Sequence, residues 1–274
     1  MPDALTDHSR LCLHTMTTRP WSLEEAIAGY TAAGVPAVTV WREHLEPYGA
    51  AKAGEMLRDA GLHIVSLCRG GFFPATNGLA REQARTDNRR IIDEAHALGA
   101  PVVVLVCGAV PGMDLSVARQ QIIDGIHSVV PHAKAAGVKL AIEPLHPMYA
   151  DNRSAINTLD QANNLVLALG SEQVGVAIDV YHVWWDPFLK AEIQRATGTI
   201  LAFHVCDWRT PTRDLLNDRA IMGEGCIPIR QIRGWVEAAG FKGFIEAEIF
   251  SEELWACDQT RLVRRVKNAY LNSV

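Results

Sequence analysis

Four stretches of this 274-residue sequence end on side chains that can hold a cation or move a proton: Glu143 in KLAIEPLHP, Asp179 in VAIDVYH, His204 in AFHVCD, and Glu246 with Glu248 in FIEAEIF. In each, a short apolar run precedes the polar group, which is the pattern of a buried strand with a charge at its end. Pro144 and Pro147 forbid further ladder pairing in the first, so that strand stops where chemistry can begin. Side chains alternate along a strand, so Ala177 shares a face with Asp179, Ala202 with His204, and Glu246 with Glu248. A buried charge persists only when it is paired or ligates a metal. Any one of these groups alone reads as a satisfied polar residue at a strand end. Several carboxylates aimed at one centre do not, because desolvation and repulsion disfavour them unless a cation sits among them. Oxygen donors with one imidazole suit Mn²⁺ first, with Mg²⁺ or Co²⁺ as alternatives, and no cysteine cluster offers a thiolate site. One divalent cation is expected.

Eight strand candidates, each followed by a helical stretch, are needed to bring these ends together. The strands are Leu11 to Thr15, Ala37 to Trp41, His63 to Cys68, Val102 to Cys107, the KLAIE run from Lys139, Val174 to Asp179, Ile200 to Cys206 and Gly243 to Ile249. Helices are expected from a capping box at Ser22 and Glu25 to Gly34, then up to Gly61, and over about 84–98, 115–136, 154–169, 187–197, 229–239 and 258–271. A glycine follows most of them, at Gly34, Gly61, Gly99, Gly137, Gly170 and Gly240, as a left-handed helix terminator would. Strict alternation of this kind predicts an α/β fold with one (β/α)8 barrel spanning residues 1–274. The active site of such a barrel lies at the C-terminal ends of its strands, where the four polar ends already are.

Composition narrows the partners. With 49% hydrophobic and 21% charged residues the chain can bury a large core, and its net charge of -5 gives a polyanion no general attraction. Nucleic acid is therefore not expected as a partner. No apolar run approaches the length of a membrane span, the longest strong one being PVVVLV at Pro101 to Val106. The six cysteines form no C-x-x-C pair and the first residues lack a signal-peptide pattern, so a reduced, cytoplasmic chain is expected.

The motifs LAIEPLHP, AIDVYHVWWDP, FHVCD and GFKGFIEAEIFSEELW together resemble the sugar phosphate isomerase/epimerase family, the xylose-isomerase-like barrels that include ketose 3-epimerases and, more distantly, endonuclease IV. The resemblance covers most of the chain and is densest from the fifth strand onward. It implies that the metal ligands are Glu143, Asp179, His204 and Glu248, the last chosen over Glu246 because the family glutamate stands five residues after the glycine here numbered Gly243. Glu246 departs from the apolar residue usual at its position. The resemblance further implies that Glu143 and Glu248 act as the acid/base pair, removing a proton beside a keto group and returning one through a metal-stabilised enediolate. His182 corresponds to a substrate-contacting histidine, and Arg209, one residue out of register, to a substrate-binding arginine. Many barrels of the family oligomerise, so a homo-oligomer or an association with a small partner subunit is expected, with a small sugar or glycoside as substrate.

Other residues refine this reading. Aromatics at the rim, Trp41, Trp184, Trp185, Trp208, Phe72, Phe73 and Phe250, could line a mouth for the apolar faces of a sugar, and Trp41 and Trp185 are the candidates for contact. Each could equally pack under a loop. His14 and His44 stand near the ends of the first two strands, and Asp207 could orient an imidazole or meet substrate. His146, held between two prolines, could titrate near neutral pH and serve a metal-dependent β-elimination that deglycosylates 3-keto C- or O-glycosides. An endonuclease IV-like phosphodiesterase is a further alternative, but it asks for more histidines from the first four strands than the sequence supplies.

Overall fold

The computed structural model describes residues 2–274. Eight parallel strands close on themselves in chain order: β1 (Leu11–His14), β2 (Ala37–Trp41), β3 (His63–Gly71), β4 (Val102–Val106), β5 (Lys139–Glu143), β6 (Val174–Asp179), β7 (Ile200–Val205) and β8 (Ile245–Ala247). The helices that follow them are α1 (Leu23–Ala32), α2 (Ala50–Asp59), α3 (Gly78–Leu98), α4 (Leu115–Ala136), α5 (Leu159–Leu169), α6 (Leu189–Arg195), α7 (Ile229–Ala238) and α8 (Gln259–Ser273). The barrel expected from the alternation is present, and its closure leaves no sheet edge unpaired.

Alternation along the strands separates two cores. Outward-facing Leu140, Ile142, Val176, Ile178, Phe203, Val205 and Ile245 pack with the helices, whereas Val104, Ala141, Ala177 and Ala202 pack inside the barrel with Met16, Trp41, Cys68 and Phe250. Inward-facing residues on three consecutive strands are thus alanines, each two residues before a polar strand end. The eighth strand carries Glu246 instead, level with His204 on β7 and Cys12 on β1. Asp179 is in turn level with His204, so register alone brings these strand ends to one height.

Several boundaries shift from the sequence reading for identifiable reasons. β1 stops at His14 because Thr15–Thr18 turn into a 3-10 segment. β3 runs on through Gly70 and Gly71, which the side chain of Asn88 pins: Gly71 N donates to Asn88 Oδ1 (2.7 Å) and Asn88 Nδ2 donates to Gly71 O (2.7 Å). α3 starts at Gly78, six residues earlier than expected, because Asn77 accepts from Ala80 N as its cap; α5 starts later, at Leu159, because Thr158 caps it. The capping box at Ser22 and Glu25 forms as expected. Between β7 and α7 a two-stranded ribbon pairs Asp207–Trp208 with Arg219–Ala220, an element with no counterpart in the alternating pattern.

Candidate metal centre

Glu143, Asp179, His204 and Glu248 are brought together: one donor atom from each lies within 4.8 Å of the others, and all four residues are buried. At that separation two ionised carboxylates repel by about 3 kcal/mol at an effective dielectric of about 20. Part of the charge is met by Arg219, which the ribbon carries into the barrel mouth. Its Nη1 donates to Asp179 Oδ2 (3.0 Å) and to Glu248 Oε2 (2.9 Å). Its guanidinium also lies over the Tyr181 ring, 4.3 Å from the centroid.

The two carboxyls sharing Arg219 are pushed in opposite directions. Burial is the largest influence on both. At Asp179 it prevails, aided by Glu248 and Glu143, and lifts the pKa to about 7 despite Arg219. At Glu248 the charges of His14 and Arg219 outweigh burial and hold the carboxyl well below the usual range. The difference is His14, whose Nδ1 lies 3.0 Å from Glu248 Oε1 and whose Nε2 lies 3.2 Å from Glu246 Oε2. Burial opposes charge on His14, yet Glu248 and Glu246 raise its pKa to about 9. Trp41 Nε1 also sits 3.2 Å from Nδ1, but an imidazolium at that pKa donates from both nitrogens, so Nδ1 serves Glu248 rather than the indole.

Glu246 has partners on four strands. Its Oε2 accepts from Thr39 (2.5 Å) on β2 and Ser66 (3.4 Å) on β3 besides His14, and lies 3.7 Å from His204 Nε2. Thr39 and Ser66 thus meet this carboxylate with short hydroxyl side chains, which leave it room inside the barrel. His204 turns its other nitrogen, Nδ1, to Glu143 Oε1 at 3.1 Å. Burial disfavours its charge, but Glu246 and Glu143 raise its pKa to about 10. His204 Nε2 and Glu246 Oε1 are buried without a hydrogen-bond partner among the described residues.

These four donors fit a divalent cation. Three carboxylates and one imidazole make an oxygen-rich set, and Arg219 neutralises only part of its charge. Above the cluster, a cavity of about 30 Å³ is lined by Glu143, Glu248, His182 and Arg219. It opens toward a vestibule of about 730 Å³ with which it shares Trp41, Arg69, Arg153, Leu216 and Phe250.

Comparison with known proteins follows the same geometry. The family model described as a xylose isomerase-like TIM barrel matches residues 25–268. The chain belongs to the xylose isomerase-like TIM barrel family. It is 24% identical over 208 residues to an inosose isomerase of Halalkalibacterium halodurans, covering 74% of this chain and 72% of that one. A crystal structure of a Sinorhizobium meliloti protein superposes with a TM-score of 0.94 at 45% identity, covering 97% of this chain and 99% of that one. The IOLI protein with a bound zinc atom superposes at 0.84 and 19% identity, covering 96% and 97%. D-psicose 3-epimerase in the presence of D-fructose superposes at 0.79 and 15%, covering 95% and 96%.

Within this family barrel, the other expected site residues divide. His182 lines the cavity, its Nε2 3.4 Å from Arg219 Nη2 and 3.6 Å from Asp179 Oδ2; burial and the Arg219 charge keep it neutral, well below the usual histidine range. Trp41 lines both cavity and vestibule. Arg209 is not brought to the cluster: Asp218 (2.9 Å) and Glu253 (3.6 Å) hold it outside. Trp185 and His146 are also outside the cavity lining. Trp185 Nε1 donates to His182 O (2.8 Å), and the His146 ring packs against Trp185 and Trp208 while its Nδ1 accepts from Met148 N. Asp207 neither orients an imidazole nor faces the cavity. It accepts from the backbone of Trp208, Gly223 and Ile227 and so folds the Gly223-Glu224-Gly225 loop. His44 meets Thr15 at 3.2 Å beside the vestibule. Arg219 itself escaped the sequence reading. The signal available was a lone arginine before the short apolar run Ala220–Met222, all of it buried.

Proposed function

We propose that this chain is a divalent-cation-dependent isomerase or epimerase that moves a proton beside the keto group of a sugar-like substrate. The observation that carries the reading is the position of Glu143 and Glu248. Both line one small cavity, yet they rise from β5 and β8, three places apart around the barrel, so they meet a bound substrate from different walls. Glu248 is the proton acceptor, since His14 and Arg219 keep it ionised. It takes the proton from the carbon beside the carbonyl, the C–H electron pair moves into the enediolate, and Glu143, carrying a proton taken up from solvent, delivers it from its own wall, after which Glu248 releases its proton to solvent. Return to the same carbon on its other face epimerises; return to the neighbouring carbon isomerises. A divalent cation held by Glu143, Asp179, His204 and Glu248, Mn²⁺ in the first instance, supplies Lewis-acid stabilisation of the developing oxyanion. His182 is a substrate contact, its buried Nδ1 having no partner among the described residues. Trp41 and Phe250 supply apolar walls suited to a sugar's C–H face.

The inosose isomerase relative and the D-psicose 3-epimerase neighbour support this reaction class. Deglycosylation of 3-keto glycosides gains no observation of its own, because the half-buried His146 packs against Trp185 and Trp208 rather than lining the cavity. A multi-zinc phosphodiesterase would draw on histidines of the first four strands, and among the described residues His14 is the one histidine of those strands that joins a candidate metal group. Incubation of a panel of ketoses and inososes in D₂O tests the reading. Cation-loaded protein is expected to introduce deuterium beside the carbonyl and Glu248→Gln to introduce none; exchange undiminished in the variant would overturn it.

A further inference from the structure

Two arginines at the junction of the cavity and the vestibule have no role in the reaction as described. Arg69, on β3, and Arg153, in the turn before α5, both line the inner cavity and both line the vestibule. Each is half-buried, yet among the described residues neither guanidinium makes an ion pair or a side-chain hydrogen bond. Their neighbours are rings: Arg69 lies 4.8 Å from the Phe72 centroid and 5.8 Å from that of Trp41, and Arg153 lies 5.5 Å from that of Tyr149. They are close enough to oppose one another, since burial and then the Arg153 charge both depress the Arg69 pKa. Two like charges held together with their donors unused are unfavourable unless an anion completes them.

The carboxylates nearby do not fill that role. Glu143 pairs with His204, Asp179 and Glu248 with Arg219, and Glu246 with His14, and none of these carboxylates reaches Arg69 or Arg153. Glu43 faces the same vestibule but forms no ion pair with either arginine. The arginines are therefore surplus positive charge, and their planar forks suit a phosphate or carboxylate.

We propose that the substrate is anionic: a keto sugar bearing a phosphate or a carboxylate, which Arg69 and Arg153 grip where the cavity meets the vestibule while the keto end occupies the inner cavity. This rests on the reaction proposed above and narrows its substrate class. It differs from D-fructose, in whose presence the structurally similar D-psicose 3-epimerase was crystallised and which carries no charge.

The test measures binding and chemistry separately. Cation-loaded protein is titrated calorimetrically with D-fructose, D-fructose 1-phosphate, D-fructose 6-phosphate and 5-keto-D-gluconate, and deuterium exchange from D₂O into each is followed by mass spectrometry. At least one anionic ketose is expected to bind ten or more times more tightly than D-fructose. That ratio should fall about tenfold in Arg69→Gln and in Arg153→Gln and recover in part in the lysine variants. An advantage confined to the phosphate esters assigns phosphate, and one confined to the keto acid assigns carboxylate. Equal binding of neutral and anionic ketoses, or an anion advantage surviving both glutamine substitutions, overturns the inference. Exchange into D-fructose with no anion preference would remove the inference and leave the reaction standing. Arginine-dependent anion binding without exchange into any compound would do the reverse. Neither arginine has a hydrogen-bond partner to lose, so both variants should fold, which unchanged unfolding midpoints would confirm.

Discussion

Arg219 illustrates how one residue sets the character of the centre. It bridges Asp179 and Glu248 from a buried position, so its removal takes the arginine from Asp179 and leaves Glu248 to His14. Arg219→Met should destabilise the cation-free protein by about 3–5 kcal/mol in urea unfolding, with part of the loss restored by a divalent cation. An unchanged midpoint would show that the bridge is energetically idle. Glu246 acts from beneath. By facing His204 Nε2 it favours the tautomer whose Nδ1 lone pair points at the other ligands. Glu246→Gln is expected to weaken cation affinity about 10- to 100-fold in a chelator competition, while leaving the circular dichroism spectrum intact. Undiminished affinity would reduce Glu246 to a packing role. At this scale the convergence of Glu143, Asp179, His204, Glu246 and Glu248 was legible from alternation at four strand ends, whereas the preference for Glu248 over Glu246 as a ligand came from the family resemblance. Arg219, Arg69 and Arg153 were not legible: Arg219 is on a ribbon two residues long, Arg69 on the part of β3 beyond its apolar run, and Arg153 in a turn.

At the scale of elements, the strands carry the ligands and the connections carry the compensating charges. β3 shows how tightly the two are coupled. Gly71 has φ +109, and a Cβ there would collide with the Val106 carbonyl of β4. Gly71→Ala should therefore cost about 2 kcal/mol or more, read as a drop in thermal midpoint, and should disturb the neighbouring Arg69. A fully stable variant would mean that the β3–β4 junction can relax. The run Gly70-Gly71 reads in sequence as a loop because glycine is a turn signal, whereas here it allows close strand approach. The order of strands and helices was legible from hydrophobic period and glycine stops. Helix starts were less so: Asn77 and Thr158 cap α3 and α5, but neither opens an apolar run strong enough to distinguish it from neighbouring polar residues. The ribbon of Asp207–Trp208 and Arg219–Ala220 is two residues deep on each side and leaves no periodic trace.

For the whole molecule, the barrel gathers like charges at one end of a closed sheet, where the proposed cation would join them. Its pH behaviour follows. Binding requires that His204, with a pKa of about 10, and Asp179, with a pKa of about 7, each release one proton. Protons compete with the cation, so affinity should rise with pH, by up to about tenfold per unit between pH 7 and 10 and more steeply below 7 where both groups must release a proton. A flat affinity from pH 6 to 8, measured by chelator competition, would contradict this assignment. Saturating cation should also raise the unfolding free energy, by about 2.7 kcal/mol at a hundred times the dissociation constant. The central claim, that proton transfer at a keto sugar occurs at this cation centre, is tested most directly by mass-spectrometric deuterium incorporation from D₂O into ketoses, neutral and anionic. Cation-loaded protein should add one deuterium beside the carbonyl of at least one of them, and the same protein stripped by a chelator should add none. Equal incorporation with and without the cation, or none into any ketose or inosose, would contradict the account.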